Sequence, residues 1–151
     1  MALFDAMFEF SDNQLLTGSA QSTNILDMQA ADLEMGAGTP LYLNVRVNAA
    51  ADMAGGTTLI VRLHNSSTTD IDAGTEGSTN NILWSSGTLA QANLTAGTWI
   101  TRIALPVNFD SNRYVGLQYT DAGAYTAGGI DAWLDQGPQS SYDTQVSASN
   151  I

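Results

Sequence analysis

Apolar and polar residues alternate along several short segments of the chain, and a period of two is typical of half-buried β-strands. In the segment 41–47, for example, Leu41, Leu43, Val45 and Val47 fall on one face of the predicted strand. Helical periodicity is weak by comparison. The alternation predicts strands at 3–10, 41–47, 58–64, 82–86, 98–105, 113–120 and 130–134.

Three of these strands carry an arginine in the middle, on the face opposite to the apolar residues. Because the chain has no lysine, we expect Arg46, Arg62 and Arg102 to pair with aspartate or glutamate on neighbouring strands. In the strand 98–105, the pattern places Trp99 and Ile103 on the inner face, opposite to Arg102.

Glycine- and proline-rich turns separate the strands, and this spacing is typical of a two-sheet β-sandwich. The segment Ile25–Met35 fits a helix loosely, and its start fits a strand equally well. We predict an all-β protein with one domain: an antiparallel β-sandwich of the jelly-roll type, with about eight strands, over residues 1–135. The polar segment 136–151 is predicted to form an extended C-terminal arm.

Charge excludes several classes of partner. The 151 residues include 15 acidic residues, four arginines and no lysine, for a net charge of −11. Nucleic-acid binding requires clustered cations that neutralise phosphates, so we expect no nucleic acid and no anionic membrane as a direct ligand. No stretch is long and apolar enough to span a membrane, and the first ten residues lack the basic region of a signal peptide.

Candidate catalytic and metal-binding groups are sparse. The chain has no cysteine, and its one histidine, His64, ends an apolar strand without a nucleophile-elbow motif elsewhere. The acidic loop Asp70–Glu76 suggests Ca²⁺, but Gly74 occupies a position where an EF-hand loop needs an oxygen ligand. We therefore expect no enzyme activity, no metal and no cofactor.

Tryptophan next to acidic residues leaves carbohydrate binding as an alternative function. Trp99 or Trp133 could stack on a sugar ring, with Asn and Asp side chains as hydrogen-bond partners. Asp131 and Asp135 flank Trp133, but a glycosidase with so little aromatic surface is a poor fit. The alternative is thus a lectin-like or head-fibre module that binds sugars without cleaving them.

Aromatic residues near the N-terminus and isolated apolar residues in the C-terminal arm are candidates for contacts with other proteins. Phe8 and Phe10 lie on one face of the predicted first strand, either in the core or against a partner. In the arm, Tyr142, Val146 and Ile151 have no evident place in a closed sandwich.

The order of motifs in the first 47 residues resembles that of capsid cement (decoration) proteins of Bordetella-phage type. Phe10-Ser11-Asp12-Asn13-Gln14 is followed by a Ser/Thr-rich stretch at 19–24 and by Ile25-Leu26-Asp27. The turn Gly36-Ala37-Gly38-Thr39-Pro40 then precedes the strand 41–47. Weaker similarity continues at 83–89 and 112–120, and none of these motifs is catalytic.

The resemblance implies a jelly-roll protein made in the host cytoplasm that binds the outer surface of the virion. There it would clamp adjacent subunits of the major capsid protein and stabilise the expanded head. It also implies a homo-oligomer, with a dimer favoured over a trimer. The candidate contact residues for the capsid or a second subunit are Phe8, Phe10, Asp12, Gln14, Trp133, Tyr142 and Val146.

Overall fold

The chain forms short strands joined by turns and loops in the computed structural model, which describes residues 6–31, 38, 40–71, 80–106, 109 and 111–136. One 3₁₀ turn, Ala6–Phe8, precedes the first strand, and a second, Gln91–Asn93, follows the seventh. The ten strands within the described ranges are β1 (Glu9–Gln14), β2 (Ala20–Gln21), β3 (Leu26–Asp27), β4 (Tyr42–Val47), β5 (Thr58–Ser66), β6 (Asn80–Ser85), β7 (Leu89–Ala90), β8 (Trp99–Ala104), β9 (Tyr114–Ala122) and β10 (Ile130–Asp135).

The strands form two antiparallel sheets. The four-stranded sheet has the order β1-β10-β4-β8, and the six-stranded sheet has the order β2-β9-β5-β6. The short strand β3 pairs with β9 beside β2, and β7 pairs with β5 beside β6. The all-β class and the antiparallel pairing are confirmed.

Strand order agrees with the expected jelly-roll type. If β2 with β3, and β6 with β7, are each counted as one interrupted strand, eight strands remain. Their orders in the two sheets are then 1-8-3-6 and 2-7-4-5, so most connections along the chain cross from one sheet to the other.

The core lies between the inner faces of the two sheets. Alternate residues of the central strands are fully buried there, as the period of two predicts. Burying each such side chain contributes roughly 1.5–3 kcal/mol relative to leaving it in water. The central-strand residues of the core are Leu43, Val45, Val47, Leu59, Val61, Leu63, Val115, Leu117, Tyr119, Ile130, Ala132 and Leu134.

The predicted first strand at 3–10 is correct at Glu9 and Phe10 but wrong at Ala6–Phe8. Residues Ala6–Phe8 form the 3₁₀ turn, and the strand runs instead over Glu9–Gln14. Two register shifts against β10 interrupt the alternation of β1, so the neighbouring residues Phe10 and Ser11 are both buried. A bulged strand lacks the period of two that sequence analysis detects.

The candidate helix Ile25–Met35 is not formed in its described part. Leu26 and Asp27 pair with β9 instead, and this agrees with the alternative that the segment begins as a strand. Gln29 follows with a positive φ of 65°, which is incompatible with a right-handed helix at that residue. Tertiary pairing therefore decides the conformation of a segment whose local preference is weak.

The predicted face of Trp99 is also wrong. A register shift between Val45 and Arg46 pairs Trp99 with Arg46 on the outer face of the four-stranded sheet, while Ile100 packs against the core. Ile103 lies opposite the core residue Leu43, as predicted, but it remains 38% exposed because β8 is an edge strand.

Two further predictions lie largely outside the described residues. Of the arm 136–151, only Gln136 is described, so the division of the chain at residue 135 stays a prediction. Of the acidic loop Asp70–Glu76, only Asp70 and Ile71 are described.

Candidate interaction surfaces

The aromatic side chains of the N-terminal segment serve the core of this molecule. Phe10 is 1% exposed and belongs to the core, whereas Phe8 is partly buried against it. The Phe10 side chain therefore cannot contact another protein in this conformation. Phe8 retains some exposed surface and remains a candidate for contact.

Ser11 links the two sheets at the start of β1. Its hydroxyl lies 2.8 Å from the hydroxyl of Tyr119 on β9, and both side chains are buried. Burial raises the pKa of Tyr119, so the phenol stays protonated and can share a hydrogen bond at any physiological pH. This contact fixes the inner side of β1 against the opposite sheet.

Gln14 has a structural role that the sequence does not reveal. Its Oε1 accepts hydrogen bonds from the Ser11 hydroxyl (2.6 Å) and from the backbone N–H of Thr23 (3.0 Å). Its Nε2 donates to the carbonyl of Gln21 at 2.9 Å. Gln14 thus ties β1 to the chain that leaves β2, and its amide has little capacity left for a partner.

Asp131 on β10 is the centre of a hydrogen-bond cluster on the outer face of the four-stranded sheet. The carboxylate is 6% exposed, and its Oδ1 accepts from the backbone N–H of Asn13 (2.9 Å) and from Asn48 Nδ2 (2.8 Å). Its Oδ2 accepts from Arg46 Nε at 3.0 Å. Three groups, on two strands and a loop, are thereby held by the side chain of Asp131.

Asn13 adopts a positive φ of 46° within this cluster, a conformation that Asn tolerates better than most residues. A Cβ added at the facing residue Gly129 would lie 2.7 Å from the Asn13 carbonyl carbon and oxygen. The close approach of Gly129 to β1 leaves no room for a side chain at residue 129. Asp12 and Asn13 project from the bulge of β1 into solvent.

Glu9 and Asp12 make the outer side of β1 electronegative. The pKa of Glu9 is raised, first by partial burial and then by repulsion from Asp12 and Asp131. A like charge beside a carboxylate disfavours its ionised form. The exposed Asp12 is thus the candidate contact residue of this segment that is both at the surface and charged.

Trp133 lies on the outer face of the four-stranded sheet but is only 3% exposed. Its ring meets Trp99 edge to face, with 5.7 Å between the centroids. The Arg46 guanidinium lies 5.5 Å from the Trp133 centroid and 5.7 Å from that of Trp99. The guanidinium of Arg102 stacks on Trp99 at 3.8 Å. These side chains form the outer-face aromatic cluster.

The cross-strand pairing predicted for the arginines is confirmed for Arg46. Arg46 forms the expected cross-strand pair with Asp131, which lies directly opposite on β10. Arg62 donates instead to the Thr120 hydroxyl at 3.0 Å, and Arg102 stacks on Trp99. Cation–π contact, which the alternation pattern does not encode, explains the last of these.

Three large apolar residues in or beside the edge strands are exposed, and the sequence pattern does not indicate this. Ile103 on β8 is 38% exposed, and Leu15, directly after β1, is 45% exposed. Met7 in the first 3₁₀ turn is 77% exposed. Their exposure follows from their position in or beside edge strands, and the edge strands are known only once the sheet order is known. Tyr142 and Val146 lie outside the described residues.

Catalytic and metal-binding arrangements are not evident in the described part of the chain. His64 is 2% exposed within β5, so a substrate in solvent cannot reach it. Among the described residues, no three His, Cys, Asp or Glu side chains are grouped to hold a metal ion. A shallow depression on the surface is open to solvent. It is lined by Ser19, Ala20, Gln21, Thr69 and Asp70.

Comparison with known protein families identifies the chain's relatives. Residues 10–134 match the sequence model of the family described as Bbp16. The chain belongs to the Bbp16 family. The family name suggests a Bordetella phage protein, and a phage structural protein agrees with the β-rich fold and with the resemblance seen in the sequence.

The match covers all ten described strands except the first residue of β1 and the last residue of β10. No curated protein matches the chain at a significant level. In the part of the chain that the structure describes, no helix has the length and apolar character needed to cross a membrane.

Proposed function

We propose that this Bbp16-family chain is a capsid cement protein. It binds the outer surface of a phage head, clamps adjacent subunits of the major capsid protein and stabilises the expanded shell. The observation that carries the proposal is the family match over residues 10–134. The all-β sandwich, with exposed apolar residues in or beside its edge strands, supports it.

The proposed mechanism is stabilisation by mass action. A protein that binds the closed lattice, and not the separated subunits, lowers the free energy of the closed state. Each contact can be weak if the cement protein is a homodimer, because the second contact then forms at high effective concentration. No enzyme activity, cofactor or nucleic acid takes part in this mechanism.

On the present chain, the outer side of β1 is the proposed capsid contact. Asp12 and Asn13 are exposed there, and Leu15 adds exposed apolar surface next to them. The bonds from Asp131 and Gln14 hold this segment rigid, so little conformational entropy is lost when a partner binds. The buried Phe10 and the hydrogen-bonded Gln14 hold β1 in position without contacting the capsid themselves.

Decoration of purified heads tests the proposal. Fluorescently labelled protein is mixed with expanded heads and with unexpanded procapsids from the same phage, and bound protein is measured after sedimentation. We expect saturable binding to expanded heads and much weaker binding to procapsids. Equal uptake by both particles, or no uptake by either, would reject the proposed clamp.

The outer-face aromatic cluster argues against carbohydrate binding. A sugar-stacking platform needs an exposed ring face, whereas Arg102 covers one face of Trp99 and Trp133 is almost completely buried. We therefore expect no change in tryptophan fluorescence when mono- or oligosaccharides are titrated into the protein.

A further inference from the structure

The edge of β8 that faces away from β4 differs from the other sheet edges in the described residues. At the opposite end of the same sheet, Asn24 covers β1: its backbone N–H donates to the Phe10 carbonyl (2.9 Å), and its side-chain amide donates to the Glu9 carbonyl (3.2 Å). Both edges of the six-stranded sheet are interrupted, at 22–25 and at 86–88. In contrast, β8 is a continuous strand of six residues that ends the sheet order.

Alternate backbone groups of β8 face away from β4. Leu105 donates its N–H to the Leu41 carbonyl at 2.7 Å, so the Leu105 amide faces β4. Because successive amides of a strand point in opposite directions, the N–H and C=O of Ala104 face away from β4. Ala104 is exposed, as is Ile103 at 38%. Such an edge is a template for the addition of another strand.

A second copy of this chain is the occupant that charge favours. The chain carries a net charge of −11, so most of its surface repels another copy. The sequence of β8, Trp99–Ala104, contains no carboxylate, and its single charged side chain, Arg102, is stacked on Trp99. An antiparallel pair of identical edges also has two-fold symmetry, so one contact closes the assembly as a dimer.

We propose that β8 pairs antiparallel with β8 of a second copy, with Ile103 opposite Ile103 of that copy at the two-fold axis. This register buries the exposed isoleucine in both copies. It also places residue 102 opposite residue 104, whereas a register with Arg102 opposite Arg102 would oppose like charges. The two four-stranded sheets then form one continuous sheet of eight strands. The inference deepens the homodimer within the proposed function and makes no assumption about the capsid.

Introduced cysteines test the register, because the natural chain contains no cysteine. The backbone N–H and C=O of Ile103 face β4 of the same copy. In the proposed dimer, the two Ile103 residues therefore form a non-hydrogen-bonded pair, with about 4.5 Å between their Cα atoms. That distance is within the range for a disulfide. We expect Ile103→Cys to form a disulfide-linked dimer under mild oxidation at low protein concentration, as seen on a non-reducing gel.

Ala104→Cys is the matched control on the neighbouring residue. In the proposed register, the two Ala104 residues are diagonal to each other, about 7–8 Å apart or more, and their cross-linking should be several times slower. Equal cross-linking at 103 and 104, or none at 103 in a protein that sediments as a dimer, would overturn the proposed edge. A wild-type chain that sediments as a monomer at high micromolar concentration would overturn it as well.

A lysine substitution gives a second, independent readout. Charged side chains on an edge strand oppose strand addition, so Ile103→Lys should shift sedimentation from dimer to monomer. Leu15→Lys introduces the same charge at another exposed apolar residue and should leave the dimer intact. Thermal unfolding of both variants checks that each is folded. Loss of the dimer in both variants, or in neither, contradicts the inference.

Discussion

A single carboxylate, Asp131, organises the bulge of β1. It accepts hydrogen bonds from the Asn13 backbone and from two side chains of β4 and its following loop, while only 6% of its surface is exposed. If this acceptor is removed, each buried donor that is left without a partner costs about 1–3 kcal/mol of stability. The conformation of the exposed residues Asp12 and Asn13 therefore depends on a residue more than 100 positions away in the sequence.

The substitution Asp131→Asn tests this dependence. An amide can satisfy Asn13 and Asn48 through its oxygen, but its NH₂ group then faces the Arg46 donor. We expect the free energy of unfolding to fall by roughly 2 kcal/mol, measured by urea denaturation. The exposed residue Asp12 provides the control, since Asp12→Asn should change stability by no more than about 0.5 kcal/mol. Similar effects of the two substitutions would contradict a central role for Asp131.

Glu9 predicts a dependence of stability on pH. Its folded-state pKa is raised, by burial first and by Asp12 and Asp131 next, so folding disfavours the ionised form. Stability is therefore lost as pH rises from the normal glutamate pKa through the raised value, and the loss is complete at neutral pH.

We expect Glu9→Gln to stabilise the protein at pH 7 by up to about 0.5 kcal/mol, a small effect because Glu9 is partly solvated. At pH 3 the gain should vanish. In an Asp12→Asn background the gain at pH 7 should be smaller, because one source of repulsion is gone. Urea denaturation of the four variants at both pH values provides the measurement, and a gain that is independent of pH would contradict the assigned cause.

At the scale of the element, β1 combines a core anchor, Phe10, with exposed residues at 12 and 13. Phe10→Ala removes a side chain that is 1% exposed and should cost about 3–5 kcal/mol of stability. Phe8→Ala removes a partly buried ring and should cost clearly less. Denaturation of both variants checks this order. If Phe10→Ala also weakens head binding, the cause should be the lost stability of β1 and not a lost contact with the capsid. Binding should then recover under conditions that restore the fold.

Sequence periodicity predicted the regular strands well, because β4 keeps an unbroken ladder with β10, and β5 keeps one with β9. It failed at β1 and at Trp99, where register shifts move neighbouring residues to unexpected faces. Periodicity also does not reveal the hydrogen bonds that Gln14 forms with Gln21 and Thr23, because these depend on how β1 meets the chain around β2. The exposure of Ile103 likewise follows from the sheet order, which local pattern does not determine.

At the scale of the whole molecule, a net charge of −11 and the proposed role as a cement protein impose opposite demands. The charge keeps free copies apart, while cementing requires contacts with a partner and with a second copy. The structure separates these demands in space. The acidic side chains Glu9 and Asp12 lie at the β1 end of the four-stranded sheet, and the carboxylate-free strand β8 lies at the other end. In the proposed dimer, the two capsid-facing edges point away from the two-fold axis.

This arrangement predicts that dimerisation contributes to head binding by avidity. Ile103→Lys removes the proposed dimer contact but leaves β1 unchanged, so each monomer should retain one capsid contact and lose the linked second one. We expect its apparent affinity for expanded heads to fall at least about tenfold relative to the wild type, measured by the same sedimentation assay. Thr88→Lys adds the same charge at an exposed residue outside the four-stranded sheet and should bind as the wild type does. If Ile103→Lys is monomeric and folded yet binds heads with unchanged affinity, each subunit binds the head independently. That result would contradict bivalent binding by the proposed dimer.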